Sequence, residues 1–321
     1  MPSLRPEPDA AQHLLVPFAS ASAPECRALL SGLALPHLSR LLAALTPLPL
    51  DSGSDHSLSA PHERALAGLL GLPATDGRIP WAAAASEQPT QPQAWLAPCH
   101  FQVGMDQVTL LPAEQIGLDA ADSRALFDAL APFCAEDGMA LAFESATRWR
   151  ASGEPLRDLV CASLDRVSGR SVADWTPNQG RSALITRLQS EAQMLFYTHA
   201  VNDRREAARQ TIVNGFWVHG AGAWAAPPRR VPPPLQPDSL RQAALRGDWP
   251  AWQQAWMALD GHEIAQALAH LRMGGQVTLT LCGERHAQTW VRQPASLSRR
   301  LAHFFQTLRG PKPAWQALES L

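Results

Sequence analysis

WLAPCHFQVGMDQVTLL, Trp95–Leu111, is the stretch from which the fold class follows. Leu96–Val103 and Gln107–Leu111 are short runs rich in β-branched and apolar residues, and Gly104-Met105-Asp106 between them reads as a hairpin turn. A helix is expected next, capped by Asp119 or Asp122, because Leu126, Leu130 and Phe133 recur at helical spacing. Asp137-Gly138 ends it before a strand at Met139–Phe143. The order β-β-α-β predicts an α+β protein, a mixed or antiparallel sheet covered by helices. The residues after Trp149, through Ser163–Trp175, read as a polar connection.

Downstream lies the segment QSEAQMLFYTHAVNDRREAARQTIVNGFWVHGAG, Gln189–Gly222. Leu184, Leu188, Leu195 and His199 fall near one helical face. Asn202 is expected to cap a second short helix, Asp203–Gln210, and Ile212–Val218 to form a strand entering the turn His219-Gly220-Ala221-Gly222. Six prolines between Pro227 and Pro237 then predict an extended connector. Beyond it, helices are expected from Asp238 or Ser239 to Gly247, from Asp248 through Trp249, Trp252 and Trp256, and from His262 to Arg272. A hairpin at Gln276–Leu281 and His286–Val291 and a helix at Leu297–Leu308 complete a mainly helical C-terminal region.

The N-terminal third reads as a strand at HLLVPFA (His13–Ala19), two short amphipathic helices before Leu45, and a loop over 46–60. Pro61–Leu70 reads as a helix with proline in its first turn, Glu63 near its positive end and Gly71 as its stop. The expected organisation is therefore 1–94, 95–226, a connector at 227–237, and 238–321.

Composition bounds the chemistry. In 321 residues a hydrophobic fraction of 46% and 11 tryptophans supply a substantial core. A net charge of −2 disfavours nucleic acid as the main partner, since phosphate binding needs concentrated positive charge. Cys26, Cys99, Cys134, Cys161 and Cys282 form no C-x-x-C pair, so no disulfide framework or cysteine zinc site is implied, and a reducing cytoplasm is expected. MPSLRPEPDAAQ lacks the apolar core of a signal peptide, and Leu29–Leu50 is broken by Pro36 and Pro47, so no membrane partner is expected.

Candidate site residues concentrate in the Gln189–Gly222 segment: Gln193, His199, Asn202, Asp203, Asn214, His219, Gly220 and Gly222. Glycines permit close backbone approach to an anion, and histidines titrate near neutrality. Common motifs fail: GAGAWA lacks the third glycine of a dinucleotide fingerprint, and His262-Glu263 lacks a histidine at Gln266. Neither Gly169-Arg170-Ser171 nor Gly180-Arg181-Ser182 is a nucleophile elbow. No metal site or cofactor is implied. Trp249, Trp252 and Trp256 with Arg241 and Arg246 offer base stacking as a minor reading beside a core stripe.

Leu188–Gly222, together with PWAAAA (Pro80–Ala85), WLAPCHFQVGMDQVTL (Trp95–Leu110), FCAEDGMAL (Phe133–Leu141) and SLDRVSGRSVADW, resembles the bacterial "regulatory protein, RpfE type" group, most specifically over 80–222. That resemblance implies a bacterial cytoplasmic protein rather than a defined activity, and with the common catalytic motifs missing, the reading is a non-catalytic, regulatory protein acting through a protein or small-molecule ligand bound at 189–222. The helix followed by N-G-F-W-V-H-G-A-G also looks like a segment of archaeal-type cofactor-independent phosphoglycerate mutases. This second resemblance implies an alkaline-phosphatase-like core with two metals held by Asp and His beside a nucleophilic Ser. HLLVPFA lacks the D-G-x-x-D start of that family and no D-x-S follows, so no catalytic residue carries over. The alternative it leaves is a phosphatase or phosphomutase acting on a small phosphorylated metabolite, with His199, Asp203 and His219 as its acid–base groups.

Overall fold

The computed structural model describes residues 11–176, 182–226, 229, 231–292 and 312–321; the helix expected at Leu297–Leu308 lies outside them. The protein is α+β, as the 95–143 grammar predicts. Its chain divides into two compact units, Met1–Asp55 with Val231–Leu321, and His56–Arg230. The first unit joins both ends of the described chain because the N-terminal strand hydrogen-bonds to a strand at 277–282.

The first unit begins with β1 (Gln12–Val16), α1 (Pro24–Leu30), α2 (Pro36–Ala44) and the two-residue strands β2 (Thr46–Pro47) and β3 (Asp51–Ser52). The second contains α3 (Pro61–Leu70), α4 (Trp81–Ala84), β4 (Gln93–Val103), β5 (Val108–Pro112), α5 (Ala113–Ile116), α6 (Ala120–Glu136), β6 (Ala140–Ser145), β7 (Arg148–Ser152), α7 (Leu164–Val167), α8 (Ser182–Tyr197), α9 (Ala200–Ala207) and β8 (Gly215–Gly222). The chain returns to the first unit with α10 (Ser239–Leu245), α11 (Trp249–Leu259), α12 (Ala265–Arg272), β9 (Val277–Cys282), β10 (His286–Val291) and α13 (Trp315–Glu319).

In the first unit β1 runs parallel to β9, Leu14 opposite Leu279, and β10 returns antiparallel and pairs with β2 and β3. Leu14, Val16, Leu279, Leu281 and Trp290 share a core with Trp252 and Trp256 of α11. The expected break before His262 does not occur. A π-turn at Asp260–Ile264 carries α11 into α12, and the Asp260 carboxylate accepts hydrogen bonds from the backbone of His37 and Leu38, capping α2.

In the second unit β4 organises the sheet. Trp95 is paired with both Arg150 and His219, and Cys99 with both Pro112 and Gly215. Each residue has two edges, so β8 occupies one side of β4, and β5 and β7 share the other. Pro98, which has no N–H to donate, falls where β4 passes from β7 to β5. The inner face buries Ala94, Leu96, Trp149, Ala151, Phe216 and Val218 against Leu126 and Leu130 of α6 and Leu188, Ala192 and Phe196 of α8. Among the described residues no helix is long and apolar enough to cross a membrane.

Three local expectations change. Arg150–Ser152, read as the start of a connection, belongs to the strand Arg148–Ser152, whose Trp149 points inward while its arginines flank it. His199 caps α9, its Nδ1 accepting from Val201 N–H at 3.2 Å, and Asn202 lies inside the helix. His219–Gly222 is strand rather than turn: β8 stays paired with β4 as far as Gly222 opposite Gln93, across a register shift between Gln93 and Trp95. Gly220 (φ 64°) and Gly222 (φ 139°) supply the backbone conformations that this irregular strand end needs.

Candidate functional site

The sheet of the second unit has an outer face defined by alternation. Trp217 and His219 of β8, Trp95, Ala97 and Cys99 of β4, and Arg148 and Arg150 of β7 point away from the inner core. Part of this face is closed, since Cys99 and Trp217 pack with Leu110, Ala162, Val167 and Trp175, and the Trp217 indole donates to Ala162 O at 2.9 Å. The remainder keeps solvent exposure.

There Arg148, Trp95 and His219 come together. The Arg148 guanidinium lies 4.7 Å from the Trp95 ring centroid, and the His219 ring sits 5.5 Å from Trp95 at 49°. Glu144 accepts from Arg148 Nε at 2.7 Å and also pairs with Arg150. Arg150 in turn donates to Ala82 O at 2.7 Å and Gln93 Oε1 at 2.8 Å, holding α4 against the strands. Two guanidiniums thus share one carboxylate, and the cluster is net positive.

Gly220 joins this row to a second cluster. A Cβ there would stand 3.0 Å from Trp81 Cβ and 3.2 Å from Trp95 Cε3, and φ is 64°, so any other residue would be strained and would press its neighbours apart. Behind it, Ser59, Glu63, Gly77, Ile79, Trp81, Cys161, Ser163 and Gly220 line a small cavity. Glu63 is the third residue of α3, and its carboxylate accepts from Ala60 N–H at 3.1 Å. Burial of that carboxyl, opposed by nearby His62 and reinforced by Asp165, pushes its pKa from 4.5 to about 7. His62 Nε2 meets Asp165 Oδ2 at 3.1 Å, both side chains being mostly buried. Burial also pushes the Cys161 thiol up to about 11, which keeps it protonated and a poor nucleophile at neutral pH.

The eight residues singled out in the sequence do not form one surface. Gln193 and Asp203 are exposed on α8 and α9, and His199 spends a ring nitrogen on the α9 cap. Those helices pack on the inner face through Phe196 and Val201, whereas His219 projects from the outer face, so His199 and Asp203 do not converge with His219. Asn202 and Asn214 act as backbone clamps. Asn202 is buried, donates to Phe196 O at 2.8 Å and Val213 O at 2.7 Å, and accepts from Val213 N at 3.0 Å. The Asn214 amide pairs with both backbone groups of Phe101, at 2.6 and 3.0 Å. His219, Gly220 and Gly222 remain at the outer-face site, Gly222 packing with its Cα side toward Pro80.

Trp95, Arg148, Trp81, Glu63 and Ser163 were not anticipated. The alternation in RWRAS carried the signal for Arg148, while nothing local to Pro61-His62-Glu63 announces a buried carboxyl. Base stacking by the C-terminal tryptophans is overturned for Trp252 and Trp256, which are fully buried, with indoles donating to Phe18 O at 2.9 Å and Ala19 O at 3.1 Å. Among the described residues no three His, Cys, Asp or Glu side chains gather as a metal-holding group.

No family model and no curated protein matches this sequence. Among solved structures, a cofactor-independent phosphoglycerate mutase from Thermoplasma acidophilum is similar over 89% of this chain and 91% of that one, at 12% identity and a TM-score of 0.37. The PH0037 protein from Pyrococcus horikoshii is similar over 90% of this chain and 89% of that one, at 12% identity and a TM-score of 0.42. Likeness at this level carries no argument about activity.

Proposed function

We propose that this protein is a regulatory binding protein of the bacterial cytoplasm, and that its ligand or partner engages the outer face at Arg148, Trp95 and His219. The observation that carries the reading is the row of guanidinium, indole and imidazole groups, partly exposed beside a face otherwise closed by packing. Its chemistry suits a group bearing a carboxylate or phosphate: the arginines outnumber the carboxylate they share, and His219 adds charge when protonated. The regulatory and cytoplasmic parts of the reading come from the sequence resemblance of residues 80–222 to the RpfE-type group alone, which no family model reproduces.

Binding rather than turnover is favoured because the acid–base residues that a phosphomutase reading would use lie on opposite faces of the sheet. The test is thermal-shift and affinity capture with wild type, His219→Ala and Arg148→Ala. Loss of a stabilising carboxylate- or phosphate-bearing ligand, or of a captured partner, in both folded variants supports the proposal. Retention of every interaction by both variants overturns it.

A further inference from the structure

Ser163 Oγ and Trp81 Nε1 are both buried, and neither has a hydrogen-bond partner among the described residues. Ser163 is 6% exposed. Both residues line the cavity that also contains Glu63, Cys161 and Gly220. An unpaired buried hydroxyl or indole N–H is costly, so two facing one small space call for a common partner. Ser163 is near enough to Glu63 to favour the ionised carboxyl, yet makes no hydrogen bond of good geometry.

Size and chemistry restrict that partner. The volume open to the centre of a water molecule is about 10 Å³, which accommodates one water and no metabolite. An indole N–H can only donate, so a metal cation could not satisfy Trp81, while an anion would sit against the Glu63 carboxylate. Water both accepts and donates. We propose that this cavity is a binding site for one ordered water, which accepts from Trp81 Nε1–H and bridges the Ser163 hydroxyl and the Glu63 carboxyl. The water ties the start of α3 to Trp81, whose Cβ presses on Gly220, and so links Glu63 to the strand that carries His219.

Because Glu63 titrates near neutrality, the water's hydrogen bonds change with its protonation. The surrounding charges are His62 and Arg64 on α3, Asp165 and Arg166 on α7, and Asp76 before Gly77, whose carboxylate accepts from Leu58 and Ser59 N–H. The site is independent of what binds the outer face.

Water-selective NMR on the full chain tests it, with the Trp81 indole resonance assigned through Trp81→Phe. The expected result is a cross-peak between Trp81 Hε1 and water with the sign of a protein-bound proton, lost in Ser163→Val while the Trp252 and Trp256 indoles are unchanged. No such cross-peak in wild type overturns the proposal, as does its survival in Ser163→Val. If that variant does not fold, a high-resolution crystal structure of the wild type decides between density bonded to Trp81, Ser163 and Glu63, which supports the site, and an empty cavity, which overturns it.

Discussion

The tryptophans of α11 and those around the outer face of the second unit are equally apolar, yet they are treated differently. Trp252 and Trp256 are wholly buried, meet edge to face at 6.3 Å, and give their indole N–H groups to the carbonyls of Phe18 and Ala19. Trp81, Trp95, Trp175 and Trp224, all in the second unit, have buried indole nitrogens with no hydrogen-bond partner among the described residues. In the first set the polar handle is absorbed by the fold. In the second it is left over: Trp81 lines the polar cavity and Trp95 sits in the cationic row, while Trp175 and Trp224 pack in apolar clusters. Trp217, on the closed part of the same outer face, gives its indole N–H to Ala162 O, so a paired indole goes with close packing in both units.

The paired indoles of α11 are held most strongly. Trp256→Ala is expected to cost about 3–5 kcal/mol, read from denaturant unfolding, because it opens a large cavity and strands the Ala19 carbonyl. A cost as small as that of a surface substitution would contradict the paired-core half of the comparison.

Glu63 gives the next effect. Its folded pKa of about 7 lies above the ordinary 4.5, so the folded state holds the proton more tightly than the unfolded one. This group's stabilising contribution is therefore full below pH 4.5 and is lost as pH rises through about 7. Wild type should lose up to about 3 kcal/mol across that window, and Glu63→Gln, which keeps an acceptor for Ala60 N–H, should lose much less. Equal pH profiles for the two proteins would remove Glu63 from the account.

Asn202→Ala should cost about 2 kcal/mol, since it abandons the buried Phe196 and Val213 backbone groups. Its folded fraction should bind as wild type does, which affinity measurements on that fraction check. His219→Ala should change stability least, by less than about 1 kcal/mol, because the ring is partly exposed. Its effect should appear in binding alone.

Local signals were legible in the sequence. Pro61 and Gly71 bound α3 as expected, Gly71 taking a left-handed φ of 73°, and Asp119 caps α6 through Asp122 N–H at 2.8 Å. The two hairpins also follow from their patterns. Pairings between distant segments were not legible: nothing in HLLVPFA announces β9, and nothing in HGAG announces that β4 continues beside it to Gly222. The candidate site suffered from the same blindness. His219 and Gly220 could be singled out by type, but Trp95 and Arg148 reach them only through strand register, and Glu63 reaches Ser163 only through tertiary packing. Asn202 and Asn214 stood out because polar side chains clamping backbone look, in sequence, like side chains awaiting a ligand.

If the exposed part of the outer face is a binding surface, an NMR titration of the full chain with inorganic phosphate shows it. Saturable shifts of the Trp95 indole and Arg148 Nε resonances, weakened by His219→Ala and absent at the Trp252 and Trp256 indoles, are the result expected. Shifts confined to other regions, or none at the Arg148, Trp95 and His219 row, would contradict it.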